Sequence, residues 1–396
     1  MVRPMSDERV GGIARYAKER GWSLMIQDRL GYGPTAWRGD GAIATIRDDP
    51  ALLAVIRRMV RSGVPVVDLT ENRPDVRVAR VTSDHAGIGR LAAEHFAERN
   101  YRHLAWFSLG WGNVHRLRFD GFARGAVAAS AGGATGACGA EEVRRWVFSE
   151  GRGGRSPGGW NAFSSWVSRK LRAAPKPLGV LAYDEADAAR ILHAAEALGL
   201  AVPEEVAVLS IGNNRLVCEN QSVPLSSIDQ NLARGGYEAA AMLDRLMDGA
   251  PVPERPVLVP PAGVVLRRST DAVAAADPLV RAALGFIAGR LRTRFGVEQV
   301  VRALGTTPDR LHRRFAAELG HGVGAEISRQ RLALAKRLLR ETSLTASAIA
   351  AACGYCTPSH LSNAFRAATG STPGAWRTEP KPLTPRGGVW YRRNQR

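Results

Sequence analysis

Cysteine is scarce in this sequence: Cys138, Cys218, Cys353 and Cys356 are too few and too scattered for a disulfide scaffold, which points to a reducing compartment. Long apolar runs are absent as well. No stretch reaches the ~20 residues of a membrane-spanning helix, and the start carries no signal-peptide pattern, so a cytoplasmic chain without a membrane partner is expected. H-E-x-x-H is missing, and no catalytic pair is evident. The Gly-containing stretch GYGPTAWRG (31–39) lacks both the P-loop Lys-Ser/Thr and a dinucleotide fingerprint. No enzyme, no catalytic residue and no cofactor are therefore expected. CGYC (353–356) has the spacing of a redox or zinc site, but zinc wants four ligands and no second pair exists. Cys353 reads as a small apolar residue, and no metal is expected.

Acidic residues are in short supply in one region only. The chain carries a formal charge of +18 over 396 residues, and from 278 to 396 there are 20 Lys/Arg against 6 Asp/Glu, or +14. The first 277 residues hold 35 against 31 and are nearly balanced. Basicity concentrated in the last third points to a polyanion or an acidic surface as the partner of that part. The length suits two or three domains.

Up to about residue 270, apolar β-rich runs alternate with helix-like segments. Strands are expected at WSLMI (22–26), GAIATI (41–46), VPVVDL (64–69), VARVT (78–82), HLAWFSL (103–109), LGVLAY (178–183) and VAVLSI (206–211). Helical patterns such as ALLAVIRRMVRSG, GRLAAEHFAERN and EADAARILHAAEALGL lie between them. Such alternation predicts two doubly wound parallel sheets, with a ligand cleft at the carboxyl ends of the strands. ASAGGATGACGA (129–140) and SEGRGGRSPGGW (149–160) read as a turn and a loop. DAVAAAD (271–277) has no periodicity and reads as a linker between a domain over 1–270 and one over 278–379, with a basic tail at 380–396.

Beyond the linker no strand pattern appears, and one unit occurs twice. TTPDRLHRRFAAELG (306–320) and CTPSHLSNAFRAATG (356–370) share Thr, Pro, Leu, Phe, Ala and Gly at equal offsets. On a helix Leu311 and Phe315 share one face, as do Leu361 and Phe365. The residues that differ fall on the other face. Each copy follows a short apolar helix and a turn with Gly305 or Gly354, and begins with Thr307-Pro308 or Thr357-Pro358, an N-cap followed by proline at the first helical position. This is the grammar of a helix-turn-helix. Residues 324–341 suit a single helix joining the copies, so that two recognition helices enter successive major grooves of double-stranded DNA roughly 34 Å apart. The DNA-contacting residues are expected among Asp309, His312, Arg313, Arg314, Ser359, His360, Ser362, Asn363 and Arg366. Arg313 suits a bidentate guanine contact and Asn363 an adenine contact. Arg314, Arg329, Arg331, Arg340, Arg366 and Arg377 are assigned to phosphates.

At these residues the chain resembles the AraC family of bacterial regulators, through Ile349, Ala350, Gly354, Tyr355, Ser359, Leu361, Phe365, Gly370, Pro373 and Arg377 and through RLALAKRLL in the joining helix. Leu361 stands where that family usually has Phe. RFDGF (118–122), residues 181–214 and PLSSIDQN (224–231) resemble the sugar-sensing domain of lactose-repressor-type regulators and periplasmic sugar-binding proteins. The resemblance implies a periplasmic-binding-protein-like bilobal α/β sensor followed by an all-α domain with two helix-turn-helix modules. Joining such a sensor to an AraC-type tail is similar to regulators of xylose utilisation, a likeness that VLVPPAGVVLRRSTD (257–271) extends. It implies a sugar effector, promoter DNA, RNA polymerase and a homodimer as partners. Arg118, Asp184 and Asn213 fall where the sensor family often contacts sugar, Gln230 lies at a lobe crossover, and Trp111 offers an aromatic face. Asn213 replaces the family's usual Asp, so the sugar need not be xylose. The family's first strand has no counterpart before VGGIARYAKERGW, leaving either an upstream start or an altered first lobe as the expectation.

The alternative is a sugar-binding or sugar-modifying protein whose basic tail merely anchors it to nucleic acid. A fragment over residues 275–396 separates the two in a gel shift. Retention of promoter DNA well above scrambled DNA is expected, and equal retention supports the alternative.

Overall fold

The computed structural model describes residues 7–26, 39–131, 143–148 and 159–378. The chain divides into two compact units, one running to Asp271 and the other starting at Ala272. In the first unit the elements follow as α1 (Asp7–Arg20), β1 (Ala42–Ala44), α2 (Pro50–Arg61), β2 (Val66–Asp68), β3 (Ala79–Ser83), α3 (His85–Ala97), β4 (His103–Ser108), α4 (Asn113–Ala131), β5 (Arg144–Val147), α5 (Gly159–Ala173), β6 (Leu178–Ala182), α6 (Glu185–Ala197), β7 (Val206–Ile211), α7 (Arg215–Glu219), β8 (Ser226–Asp229), α8 (Leu232–Met247), β9 (Val257–Val259) and β10 (Gly263–Val265).

Two sheets result. One has the order β1-β2-β3-β9, all parallel; the other has the order β10-β8-β7-β6-β4-β5, parallel except for β10 against β8. β6 and β7 are buried at every position, as strands covered on both faces must be. Ile13 of α1 and Ala239, Ala240 and Leu243 of α8 pack with Val67 and Val81 on one side of the small sheet, and Leu53, Ile56 and Met59 of α2 pack with Val66 in a second core. Asp49, Asp84 and Asp184 each cap the helix that follows them by accepting its first free N–H groups. The chain passes between the lobes at β3 to α3, at β8 to α8 and again at β9 to β10.

Several elements depart from the expectations. Residues 22–26 form no strand: a strand needs a partner, and the sheet ends at β1, leaving Met25 and Ile26 exposed. Residues 129–131 complete α4 rather than open a turn, while 132–142 and 149–158 lie outside the described residues. β5, β8, β9 and β10 were not anticipated. β8 is the instructive case, because its Ser226 and Ser227 are fully buried. Ser226 is satisfied by a chain of hydroxyls: its N–H donates to Ser269 Oγ (2.8 Å), its Oγ donates to the Arg267 carbonyl (2.8 Å), and Thr270 Oγ1 donates to it (2.8 Å). Buried polar groups with such partners carry no hydrophobic signature.

The second unit is helical throughout its described residues: α9 (Pro278–Arg290), α10 (Val297–Ala303), α11 (Pro308–Leu319), α12 (Val323–Glu341), α13 (Ala346–Ala352), α14 (Pro358–Thr369) and α15 (Pro373–Thr378). It has two cores, and α12 serves both. Val323 and Ile327 join Leu311, Phe315 and Val300 in the first; Leu334, Ala335 and Leu339 join Leu361, Phe365 and Ile349 in the second. The stretch read as a linker belongs to the first core, where Ala275 is buried, and Asp277 caps α9. Cys353 is buried in the second core and Cys356 is exposed.

At the start of α12, Glu326 is fully buried and accepts from Arg329 (2.8 and 2.7 Å), Gln330 (2.8 Å) and His321 (2.8 Å). Burial by itself raises its pKa; the hydrogen bonds and charge of Arg329, with Gln330 and His321, outweigh that and hold the carboxyl below its ordinary value. A depressed folded pKa means stability present above the ordinary Glu range and lost as pH falls through the lower folded value. Denaturant titrations should therefore show the helical unit weakening as pH drops below about 4, with a smaller slope in Glu326→Gln. An identical slope in that variant would remove the role given to Glu326.

Candidate effector cleft and nucleic-acid interface

A cleft of about 500 Å³ opens between the two sheets of the first unit. Its lining comes from segments that follow strand ends: Thr45 and Arg47 after β1, Leu69 and Thr70 after β2, Gly110 after β4, Tyr183 and Asp184 after β6, and Gln230 after β8. This is the place the topology of parallel sheets reserves for ligands. Asp68, fully buried, fixes the smaller lobe's side of it. Its Oδ1 accepts from the N–H groups of Ile46 (3.0 Å) and Thr70 (3.0 Å), and its Oδ2 from Arg80 (3.0 Å).

Arg118 sits at the centre, only 5% exposed. α4 carries it against α3, and the two helices approach so closely that a Cβ on Gly121 would lie 2.3 Å from the Ala86 carbonyl oxygen. That contact explains the glycine of RFDGF. The guanidinium donates to the Tyr183 carbonyl (3.0 Å), to Gln230 Oε1 (2.7 Å) and, from Nε, to His85 Nδ1 (3.4 Å). Its Cζ lies 4.8 Å from the Tyr183 ring centre. Since His85 Nδ1 accepts, its Nε2 donates to Thr82 Oγ1 (3.2 Å). Burial, then the charges of Arg118 and Arg9, push the His85 pKa well down, so the ring is neutral. His115 stacks on Tyr183 at 3.9 Å, and burial followed by Arg118 lowers its pKa to about 4.

The structure brings Arg118, Asp184 and Gln230 together in this lining, but not Trp111 or Asn213. Trp111 packs on Phe119 (5.7 Å between ring centres) and under Arg145 (4.9 Å), so the aromatic faces in the cleft are Tyr183 and His115 instead. Asn213 takes a left-handed conformation (φ 62°), which its side chain tolerates. Its N–H donates to Ser227 Oγ (2.9 Å), its Nδ2 to Asp229 Oδ2 (3.4 Å), and its Oδ1 accepts from Arg267 (3.1 Å). Tyr183, His85, Arg9 and Asp187 were missed; Tyr183 alone had a local signal, immediately before Asp184 at a strand end. The stretch GRSPG (154–158) has G-x-S-x-G spacing and lies outside the described residues.

In the helical unit both recognition helices are α11 and α14. Thr307 Oγ1 accepts from the Arg310 N–H (3.3 Å) and Thr357 Oγ1 from the His360 N–H (3.1 Å). Leu311, Phe315, Leu361 and Phe365 are fully buried. Asp309, His312, Arg313, Arg314, Ser359, His360, Asn363 and Arg366 are exposed, and Ser362 is half-buried. Gly354 in the second turn has φ 69°, and a Cβ there would meet the Thr293 carbonyl oxygen at 2.5 Å. Among the basic residues assigned to phosphates, two are committed inside the unit. Arg329 is paired to buried Glu326, and Arg331 donates to the carbonyls of Thr293 (3.0 Å) and Phe295 (3.2 Å) while covering the Phe295 ring. Arg314 is tethered to Asp277 at 2.5 Å, and Arg377 donates to the Leu344 carbonyl. The Arg340 side chain lies outside the described residues. Arg313 and Arg366 remain exposed.

Residues 93–270 match the model of a periplasmic binding protein-like domain, and residues 300–379 that of a helix-turn-helix domain. The chain joins a periplasmic binding protein-like domain to a helix-turn-helix domain, the make-up of a ligand-responsive DNA-binding transcription regulator. It is 29% identical over 385 residues to the xylose operon regulatory protein of Escherichia coli strain K12, covering 93% of this chain and 92% of the relative. It is 34% identical over 207 residues to the protein of the same name from Haemophilus influenzae, covering 52% of this chain and 54% of the relative. The solved structure of a xylose-binding transcription activator superposes with a TM-score of 0.58 at 27% identity, covering 95% of each chain. A LacI-family regulator from Mycobacterium smegmatis shares the fold, at 22% identity and a TM-score of 0.51, over 68% of this regulator and 95% of that chain. No helix among the described residues is long and apolar enough to cross a membrane.

Arg313→Ala should cost about 1–3 kcal/mol of base discrimination at one position, read by competition between cognate and single-substituted operators. Equal loss on cognate and scrambled DNA would contradict a reading role for Arg313.

Proposed function

We propose that this regulator controls transcription of genes for use of a pentose or related sugar, which it takes up in the cleft at Arg118, Asp184 and Gln230. It acts in the cytoplasm as a homodimer on promoter DNA, in contact with RNA polymerase, and catalyses no reaction. The observation that carries the DNA-reading half is the pairing of α11 and α14: equal caps and equal buried Leu/Phe pairs, with different exposed faces. α12, about 28 Å long at 1.5 Å per residue, contributes to both cores and so holds the two reading faces at one separation. The sugar-sensing half draws its support from the cleft at the strand ends and from what the relatives' names say of them. Ligand that favours one lobe geometry would bias the dimer between arrangements with different affinity for paired sites.

Footprinting of the full chain on its own promoter is expected to show protection over two adjacent turns per protomer. A panel of pentoses, hexoses and deoxysugars should contain one that shifts half-maximal protection by roughly 5–150-fold, the usual range of coupling between sites. Protection confined to a single turn, or unchanged by every sugar and sugar derivative tried, would defeat the proposal.

A further inference from the structure

The two helix-turn-helix copies differ in what surrounds their turns. A Cβ on Gly305, in the turn before α11, would meet no described atom within 4 Å beyond its chain neighbours. Gly354, in the turn before α14, is covered instead: a Cβ there would lie 2.5 Å from the Thr293 carbonyl oxygen and 3.0 Å from that of Leu291. What covers it is the loop between α9 and α10, residues 291–296, which belongs by sequence to the first module. Leu291 packs against both cores of the unit, and Arg331 of α12 fixes the loop by its bonds to the carbonyls of Thr293 and Phe295. The loop thereby brings Arg294 to the second recognition helix. Its Nη2 donates to the carbonyl of Cys356 at 3.1 Å, one residue before Thr357, which caps α14. Arg292 lies near the same module: burial lifts the Cys353 thiol to a pKa of about 11, and Arg292 is foremost among the charges that oppose the rise. Both arginines are exposed, and no described carboxylate pairs with either.

The two recognition helices are unequally provided with cations. Within its first two turns α11 carries Arg310, Arg313 and Arg314, whereas α14 has no lysine or arginine before Arg366. His360 stands where the first copy has Arg310. Affinity for a duplex comes largely from cations on phosphates, and contacts to base edges add the specificity. A recognition helix meets the major groove through its N-terminal residues, so a guanidinium fixed beside the cap of α14 stands where phosphates border that groove. It has further N–H groups to offer once the bond to Cys356 is made. Resting on the reading of α11 and α14 as the DNA-facing helices, we propose that the loop 291–296 of the first module is the phosphate clamp of the second. Arg294 contacts the backbone beside the groove that α14 enters, and Arg292 adds to the positive field there. The second module borrows its cation from the first, and the two grip DNA as one composite surface.

Titration of the full chain with its own promoter fragment and with a scrambled duplex, over a range of salt, tests this. Arg294→Gln keeps an amide N–H for the Cys356 carbonyl and removes the charge. It should weaken both duplexes by the same factor and make the fall of the log association constant with log salt shallower by about 0.9. The parent's advantage should then shrink about threefold to fourfold between about 50 and 200 mM salt. Arg294→Lys, which keeps the charge, should hold the parent slope. Phosphate-ethylation interference should place the lost contact in the half of the site where Asn363→Ala changes base preference, not in the half read by Arg313. A purely structural role for Arg294 would lower the melting temperature and leave the slope alone; that result overturns the assignment, as does a lost contact in the Arg313 half. If the parent protects two turns while Arg294→Gln keeps its slope, the DNA-reading proposal stands and only the clamp falls. A parent that retains promoter and scrambled DNA equally removes both.

Discussion

A leucine and a phenylalanine four residues apart, buried under each recognition helix, govern the helical unit. Leu311 with Phe315, and Leu361 with Phe365, have no exposed surface. Removing either phenylalanine from such a core costs about 3–5 kcal/mol, so the rotation of each helix about its axis is strongly specified. Once that rotation is set, the opposite face must point outward, and Arg313 and Asn363 become available to a partner without any further instruction. α12 extends the same logic over distance. Its first turns complete one core and its last turns the other, so the separation of the two reading faces follows from helical rise and not from a flexible connection.

The sensor unit depends on polar satisfaction more than on apolar area. Arg118 ties α4 to Tyr183 after β6 and to Gln230 at a lobe crossover, while Ser83 at another crossover donates to the same Gln230 oxygen at 3.4 Å. The cleft lining and two of the crossovers between the lobes are therefore hydrogen-bonded to each other. A ligand that draws Arg118 away from Gln230 changes the bonding at a crossover directly. On the far side, Asp68 holds the loops after β1 and β2 in the same way, so both lips of the cleft are set by a buried charged side chain.

Runs such as VAVLSI and LGVLA were legible as strands because a strand buried on both faces must be apolar throughout, and EADAARIL as a helix because its cap and its apolar period agree. The serines of SSID carried no such signal. The burial of Ser226 is compensated by Ser269, Thr270 and Arg267, some forty residues away, and that of Ser227 by the Asn213 N–H, and no local window contains those facts. Residues 22–26 erred in the other direction, with β-type side chains but no neighbouring strand to complete their hydrogen bonds. The aromatic of the cleft was assigned to Trp111 on its position after a strand, but the loop turns that ring toward Phe119 and Arg145, and Tyr183 stands in its place.

By itself the amino-acid order determined the class of this protein: alternating strands and helices, then a doubled capped helix on a basic segment, because periodicity, caps and charge are local properties written residue by residue. Only the tertiary structure decided which arginines stay exposed for a partner and which are consumed at home, as Arg329 is by Glu326 and Arg331 by two carbonyls. It alone gathered Arg9 and Arg118, 109 positions apart in the chain, into one cleft. The physical reason is common to both: the state of a charge depends on what lies within a few ångströms of it in space, and that neighbourhood exists only once the chain has folded.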